Sequence, residues 1–376
     1  MKKRSGSVRR AAVGAAAALA LLATGCGATT TGDSDAGGDN STEEGFEVGL
    51  LLPGTNLARY ETFDKPYIEE TLAELCEKCE LSYQNADQET DKQQAQAEAM
   101  LTDGVDVLIL NAVDSEAAAK IVKEAQSQGV PVVAHDRLAE GGVDYYVSFD
   151  NVRVGEVQAQ ALLEALEKEK AADDAEIVMI HGSPTDPNAD QFKTGAHQVL
   201  EGQVDIGAEY DTPDWSGDEA QTEMEQAITS LGLENISGVY SANDGMAAGV
   251  VAALKSAGVD EMPPVTGQDA EIAAIQRIIA DEQYMTVYKA LQPEGQVAAE
   301  MAVAAATGEE YDGGEDGITE VEDANGEKVK SVLLEPIPVT EENIEDTVIS
   351  DGFYTIEEIC TDDYADTDFC KEALGG

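Results

Sequence analysis

From residue 46 onward, short apolar runs alternate with longer stretches in which apolar residues recur every third or fourth position. The runs FEVGLLL (46–52), CELSYQ (79–84), VDVLIL (105–110), VPVVAH (130–135), YYVSF (145–149), AEIVMIH (175–181), VDIGAEY (204–210), ISGVYSA (236–242) and PPVTGQ (263–268) read as strands. Between them, KQQAQAEAMLTDG (92–104) and SEAAAKIVKEAQSQG (115–129) have helical spacing, the second closing on Gly129. This alternation predicts an α/β fold of parallel sheets covered by helices. Roughly 330 residues of such units exceed one comfortable core, so two domains are expected, with a break near Ser148 to Asn151. After about residue 306 the pattern loosens through TGEEYDGGEDG (307–317) into a strand KVKSVLLEPIPV (328–339), a short helix and a tail holding two cysteines.

The first 25 residues follow another pattern. Lys2, Lys3, Arg4, Arg9 and Arg10 precede AAVGAAAALALLA (11–23), the layout of a secretory signal peptide and too short for a membrane span. ATGC (23–26) resembles the bacterial lipobox, in which the cysteine, here Cys26, is acylated and becomes the mature N-terminus. Residues 26–45 lack apolar periodicity and read as a flexible tether. A domain held by a lipid to the outer face of the cell membrane is therefore expected.

Charge narrows the choice of partner. The chain has 22 Lys and Arg against 76 Asp and Glu, a net charge of −54, and loss of the five leader cations takes it to about −59. Nucleic acid is excluded, because phosphate binding needs a basic surface. The acids are spread along the helical stretches as a solvated skin suited to high salt. Cys76, Cys79, Cys360 and Cys370 make an even count in an exported chain, and two short-loop disulfides are the expected pairing of three. CEKC (76–79) also has the form of a metal pair. His135, His181 and His197 are too widely spaced for a zinc motif, so no metal or cofactor is expected.

Open parallel sheets bind ligands outside the carboxyl ends of their strands. There the chain places Arg59 and Tyr60, Asp136 and Arg137, Asp186 and Asn188, the single tryptophan Trp215, Asn243, Asp269 and Lys289. Taken singly, Asn243, Asp186 and Asp269 serve equally well as helix caps, and the cations as neutralisers of an acidic surface. Together they suit a sugar: rings stack on its C–H faces, and two-pronged Asp, Asn and Arg ends grip adjacent hydroxyls.

The segments VSFDNVRVGEVQAQAL (147–162), GSPTDPNA (182–189), SANDGMAAGVVAAL (241–254), GQDAEIAAIQRI (267–278), MTVYK (285–289) and LLEPIPVTEENIEDTVISDGF (333–353) resemble the xylose-binding members of the ribose and galactose type of periplasmic binding protein, the extracytoplasmic components of bacterial ABC sugar importers. The likeness runs from about residue 46 to 354. It implies a type I periplasmic-binding-protein fold of two Rossmann-like lobes, residues 46–148 with 288–334 and residues 149–287 with 335–354, joined by three crossings near Phe149, Val287 and Glu335. It implies polar contacts to a monosaccharide from Arg59, Asp136, Arg137, Asp186, Asn188, Asn243, Asp269 and Lys289. Trp215 matches one stacking ring, and Tyr60 stands where the best-known family member has a tryptophan. A monomer that closes over its sugar and docks on a membrane ABC permease follows. The acyl anchor, the tether, both cysteine pairs and the tail (355–376) depart from the family pattern.

Two other readings share these residues. Asp136, Asp186 and Asp269 could pose as glycosidase carboxylates. Arg59, Arg137 and Lys289 beside them are expected to hold all three ionised, whereas a general acid needs a raised pKa. A sugar-sensing receptor module for chemotaxis or signalling would use the same closed form. DPNADQ (186–191) has a partial likeness to a calcium loop, but Gln191 takes the glycine position and His197 the terminal glutamate position.

Overall fold

The computed structural model describes residues 40–55, 57–168, 175–314 and 316–375. The signal segment, Cys26 and the tether up to residue 39 lie outside the described residues. No described helix is long and apolar enough to cross a membrane.

Strands β1 (Glu47–Leu52), β2 (Glu80–Asn85), β3 (Val107–Leu110), β4 (Val132–His135) and β5 (Tyr145–Phe149) lie parallel, with helices α1 (Lys65–Leu75), α2 (Thr90–Asp103) and α3 (Ser115–Ser127) between them. The chain then runs through α4 (Asn151–Lys168) into β6 (Glu176–His181), α5 (Pro187–Leu200), β7 (Asp205–Asp211), α6 (Gly217–Leu231), β8 (Ile236–Ser241), α7 (Asp244–Ala257), α8 (Ile272–Ile278) and β9 (Thr286–Tyr288). It returns through α9 (Leu291–Thr307), β10 (Thr319–Glu322) and β11 (Lys328–Leu334), and ends with β12 (Ile337–Val339), α10 (Ile356–Ile359) and α11 (Asp368–Ala373).

One sheet has the order β10-β11-β5-β4-β3-β1-β2; a second is the parallel trio β7-β6-β8, accompanied by the antiparallel pair β12-β9. The chain passes between the two strand sets at residues 149–151, 288–291 and 335–336. The central strands are apolar on both faces, as in VLIL of β3, because helices cover both sides. β7, at an edge, instead alternates exposed and half-buried positions. Helices α4 and α5 meet backbone to backbone: a Cβ on Gly155 would stand 2.0 Å from the Phe192 carbonyl oxygen, and one on Gly195 2.0 Å from that of Val152. Two glycines thus set the helix spacing behind the cleft.

Three expectations are corrected. PPVTGQ (263–268) is not a strand; Val265 alone bridges Val239, since Pro263 and Pro264 lack the N–H groups a ladder needs. KVKSVLLEPIPV (328–339) is two strands in different sheets, divided at Glu335 and Pro336. The stretch expected to be tether up to residue 45 ends in a turn closed by Gly45 N–H to the Ser41 carbonyl (3.0 Å), with Cys76 Sγ against the Thr42 carbonyl. The strand β10 was not expected, its TEVE being polar and largely exposed. Cys76–Cys79 and Cys360–Cys370 form disulfides.

Candidate functional site

The ends of β1, β4, β6, β7, β8 and β9 face a common cleft. All ten residues singled out from the sequence, Arg59, Tyr60, Asp136, Arg137, Asp186, Asn188, Trp215, Asn243, Asp269 and Lys289, line one space there of about 280 Å3. Each is under a tenth exposed. A wider recess of about 1090 Å3 beside Lys168 and Tyr284 mixes prolines with the acids Glu164, Asp281, Glu341 and Glu342. It lacks the neutralised, convergent polar set of the cleft.

Backbone strain marks three of the residues. Asp136, Trp215 and Asp269 have φ of 62°, 56° and 89°, a region that costs a non-glycine residue about 1–3 kcal/mol. Asp136 is held there by its own backbone. Its N–H donates to the Val147 carbonyl at 2.8 Å, and its carbonyl accepts from Tyr146 Oη, Ser148 Oγ and Asn188 Nδ2 at 3.1, 2.8 and 2.9 Å. The last bond reaches across from α5.

Arg59 anchors one wall. Its Nη1 donates to Asp136 Oδ1 at 2.9 Å, its Nε and Nη2 donate to the two oxygens of Asp64, and Nη2 also donates to Glu294 Oε2 at 2.6 Å. Burial opposes this charge, but Asp136, Asp64 and Glu294 together outweigh it and raise the guanidinium pKa further. The three carboxylates do not respond alike. Burial would raise Asp136, yet Arg59, Lys289 and Arg137 hold it well below the usual carboxylate range. Asp64 is also lowered, against burial, by Arg59 and His135. Burial pushes Glu294 up to about 7 despite Arg59. One guanidinium is shared among three buried acids, and at Glu294 desolvation outweighs it.

The opposite wall is built on Asp186. It caps α5 through Oδ1 to the Asn188 N–H (2.9 Å), accepts the Trp215 indole N–H on Oδ2 (3.1 Å), and pairs through Oδ2 with Arg137 Nε at 2.7 Å. Burial raises its pKa, with Arg137 opposing. The flanking cations thus hold Asp136 below the usual carboxylate range, whereas at Asp186 desolvation outweighs Arg137 and the pKa rises. Trp215 is 5% exposed. The distal end of its indole abuts Gly182, where a Cβ would come within 2.0 Å of Cη2, and the ring meets Phe192 edge-on at 6.2 Å between centroids.

Asn243 is the helix cap that one of its sequence readings expected. Its Oδ1 caps α7 at the Met246 N–H (2.8 Å), while its Nδ2 is buried with no partner among the described residues. Asn188 Oδ1 and Gln268 Oε1 are likewise buried and unpartnered there. Asp269 does not cap a helix; it faces Lys289 Nζ at 3.0 Å, and Lys289 stands over Phe192 and Phe149 at 5.4 and 5.9 Å from the ring centroids.

Sequence reasoning missed Leu57, Phe192 and Gln268 in the lining, and Asp64, His135, Glu294 and Gly182 behind it. Phe192 was findable, four residues after Asn188 on one face of α5. Glu294 was also findable, as an acid among the buried positions Leu291, Gly295 and Ala298 of α9.

The periplasmic binding protein domain family matches residues 48–310. The chain is 35% identical over 320 residues to the D-xylose-binding periplasmic protein of Escherichia coli, covering 83% of this chain and 92% of that protein. It is 32% identical over 374 residues to a multiple sugar-binding periplasmic protein of Azospirillum brasilense, covering 93% and 98%. Among solved structures it resembles an ABC transporter solute binding protein of Clostridium phytofermentans with bound β-D-glucose, at a TM-score of 0.75 and 28% identity over 83% of this chain and 99% of that one. The chain belongs to the periplasmic binding protein family and has its type I α/β fold.

Proposed function

We propose that the protein is the extracytoplasmic sugar-binding component of an ABC importer, taking a monosaccharide, D-xylose by preference, into the cleft and handing it to a membrane permease. The observation that carries this reading is the lining of the cleft itself. Its walls combine unpartnered, buried amide ends at Asn188, Asn243 and Gln268 with the rings of Trp215 and Tyr60 and the charged ends of Asp136, Arg137, Asp269 and Lys289. A pyranose presents C–H faces to rings and an equator of hydroxyls that donate and accept. Those hydroxyls match amide donors and acceptors alike, and hydrogen bonds to the charged ends add about 1.5–3 kcal/mol each.

Residues 46–148 with 288–334 form one lobe and 149–287 with 335–354 the other, hinged at the three crossings. Sugar touching both lobes binds the closed form more tightly and shifts the hinge equilibrium toward it. No bond in the sugar changes, and the protein works without catalysis. Acylation of Cys26 holds it to the outer face of the membrane as a monomer. Relatives named for D-xylose and for multiple sugars, and a similar solved protein that holds β-D-glucose, support a monosaccharide ligand and agree with D-xylose as the preferred one.

A calorimetric panel of aldopentoses and aldohexoses tests this reading. D-xylose is expected to bind at one per chain with micromolar or tighter Kd, about −8 kcal/mol or better. No heat from any aldose at millimolar concentration would remove it.

A further inference from the structure

Two of the three histidines meet one carboxylate on the flank of the second sheet, away from the cleft lining. His181 Nε2, at the end of β6, and His197 Nε2, on α5, each stand 2.9 Å from Glu209 Oε1 on β7. The two rings are stacked, with centroids 6.1 Å apart. Lys193, one helical turn before His197, puts its ammonium 3.0 Å from the same oxygen and 3.1 Å from Asp211, the strand neighbour of His181. Sequence spacing hid this cluster, because sixteen and twelve residues separate its members and only the β6-α5-β7 crossover brings them together.

As it stands, the cluster is a carboxylate receiving several donors. Three features point beyond that. The ligand atoms of His181, His197 and Glu209 lie within 4.8 Å of one another. In a tetrahedral zinc site such atoms are separated by about 3.3 Å, given metal–ligand distances near 2.0–2.1 Å, so each 2.9 Å histidine–Glu209 pair needs to open by only a few tenths of an ångström. His181 is buried, while His197 and Glu209 are about a third exposed, which gives a rigid inner ligand and an open approach. Lys193 already occupies the cation position between two acids, and its flexible stem lets it leave.

We propose that His181, His197 and Glu209 bind a zinc-like divalent transition ion in place of the Lys193 ammonium, with Asp211 or water completing the shell. Two imidazoles and a single carboxylate select zinc, copper or nickel over magnesium or calcium, which prefer all-oxygen shells. The site adjoins Gly182, the support of Trp215, so an ion there stiffens the strand end beneath the indole. The proposal stands whether or not the cleft takes a sugar.

The test is titration of the untagged, chelator-treated protein with zinc chloride, followed by calorimetry and thermal shift. One ion per chain is expected, with micromolar or tighter Kd and a rise in Tm, and none from millimolar magnesium chloride. His197→Gln, at a partly exposed position that folding tolerates, is expected to weaken binding at least tenfold. Lys193→Met, which removes the competing cation, is expected to tighten it. Zinc binding unchanged by His197→Gln, or no saturable binding to the parent, would overturn the proposal.

Discussion

Asn188 Nδ2 donates a 2.9 Å hydrogen bond to the backbone carbonyl of Asp136, a residue held at positive φ in the loop after β4. The donor belongs to α5, which covers the second sheet, and the acceptor to the first. A ligand between them meets a wall whose geometry each half helps to set.

Trp215→Ala is expected to lower sugar affinity at least tenfold, since it removes a stacking ring worth about 0.5–1.5 kcal/mol beyond its burial and the hydrogen bond that the indole donates to Asp186 Oδ2. Circular dichroism should be unchanged. Trp215→Phe should retain part of the affinity. Unaltered binding by Trp215→Ala would place the sugar elsewhere.

Gly182→Ala tests the platform rather than the ring. A Cβ there meets the indole at 2.0 Å, and the φ of Gly182 is not in the left-handed region, so the strand end accepts alanine while Trp215 must move. Calorimetry should find a loss comparable to that of Trp215→Ala. Parent-like affinity would mean that the indole orientation is unimportant.

Arg137→Lys keeps the charge but loses the fork that reaches both the Ala112 carbonyl (3.1 Å) and Asp186 (2.7 Å). A tenfold or greater weakening of sugar binding is expected, about 1.4 kcal/mol or more. An equal affinity would show that Arg137 acts only as a point charge.

Glu294 makes stability fall as pH rises. Its folded-state pKa, raised by burial to about 7, lies above the unfolded value of about 4.3. Between those values the folded protein keeps a proton that the unfolded chain has lost, so its contribution is full below the unfolded pKa and declines as pH climbs toward 7. Asp136 and Asp64, both lowered, act oppositely and lose their contribution only in stronger acid, below the ordinary carboxylate range. Thermal melts from pH 5 to 8 should therefore show a smaller decline in Glu294→Gln than in the parent. Parallel curves would mean that Glu294 does not titrate there.

Much of this was legible in the sequence because parallel strands buried on both faces leave continuous apolar runs, and because their carboxyl ends are where polar residues have no structural need to gather. Arg59, Asp136 and Trp215 were found that way. Asp64, His135 and Glu294 were not, since each serves the site from behind the lining, through Arg59 or Asp64, and looks like any acid or histidine on a helix or strand. PPVTGQ misled because apolar composition fits a strand while its prolines remove ladder donors. Gly182 left no signal, for the space it clears belongs to a tryptophan 33 residues later.

The central claim is a sugar ring gripped from both lobes in this cleft, and the crystal structure of the protein grown with saturating D-xylose tests it most directly. The account predicts one pyranose with a face on Trp215, and hydroxyls within hydrogen-bond distance of Asp136, Arg137, Asn188 and Asn243. A sugar bound on one lobe only, or outside the space lined by these residues, would contradict it.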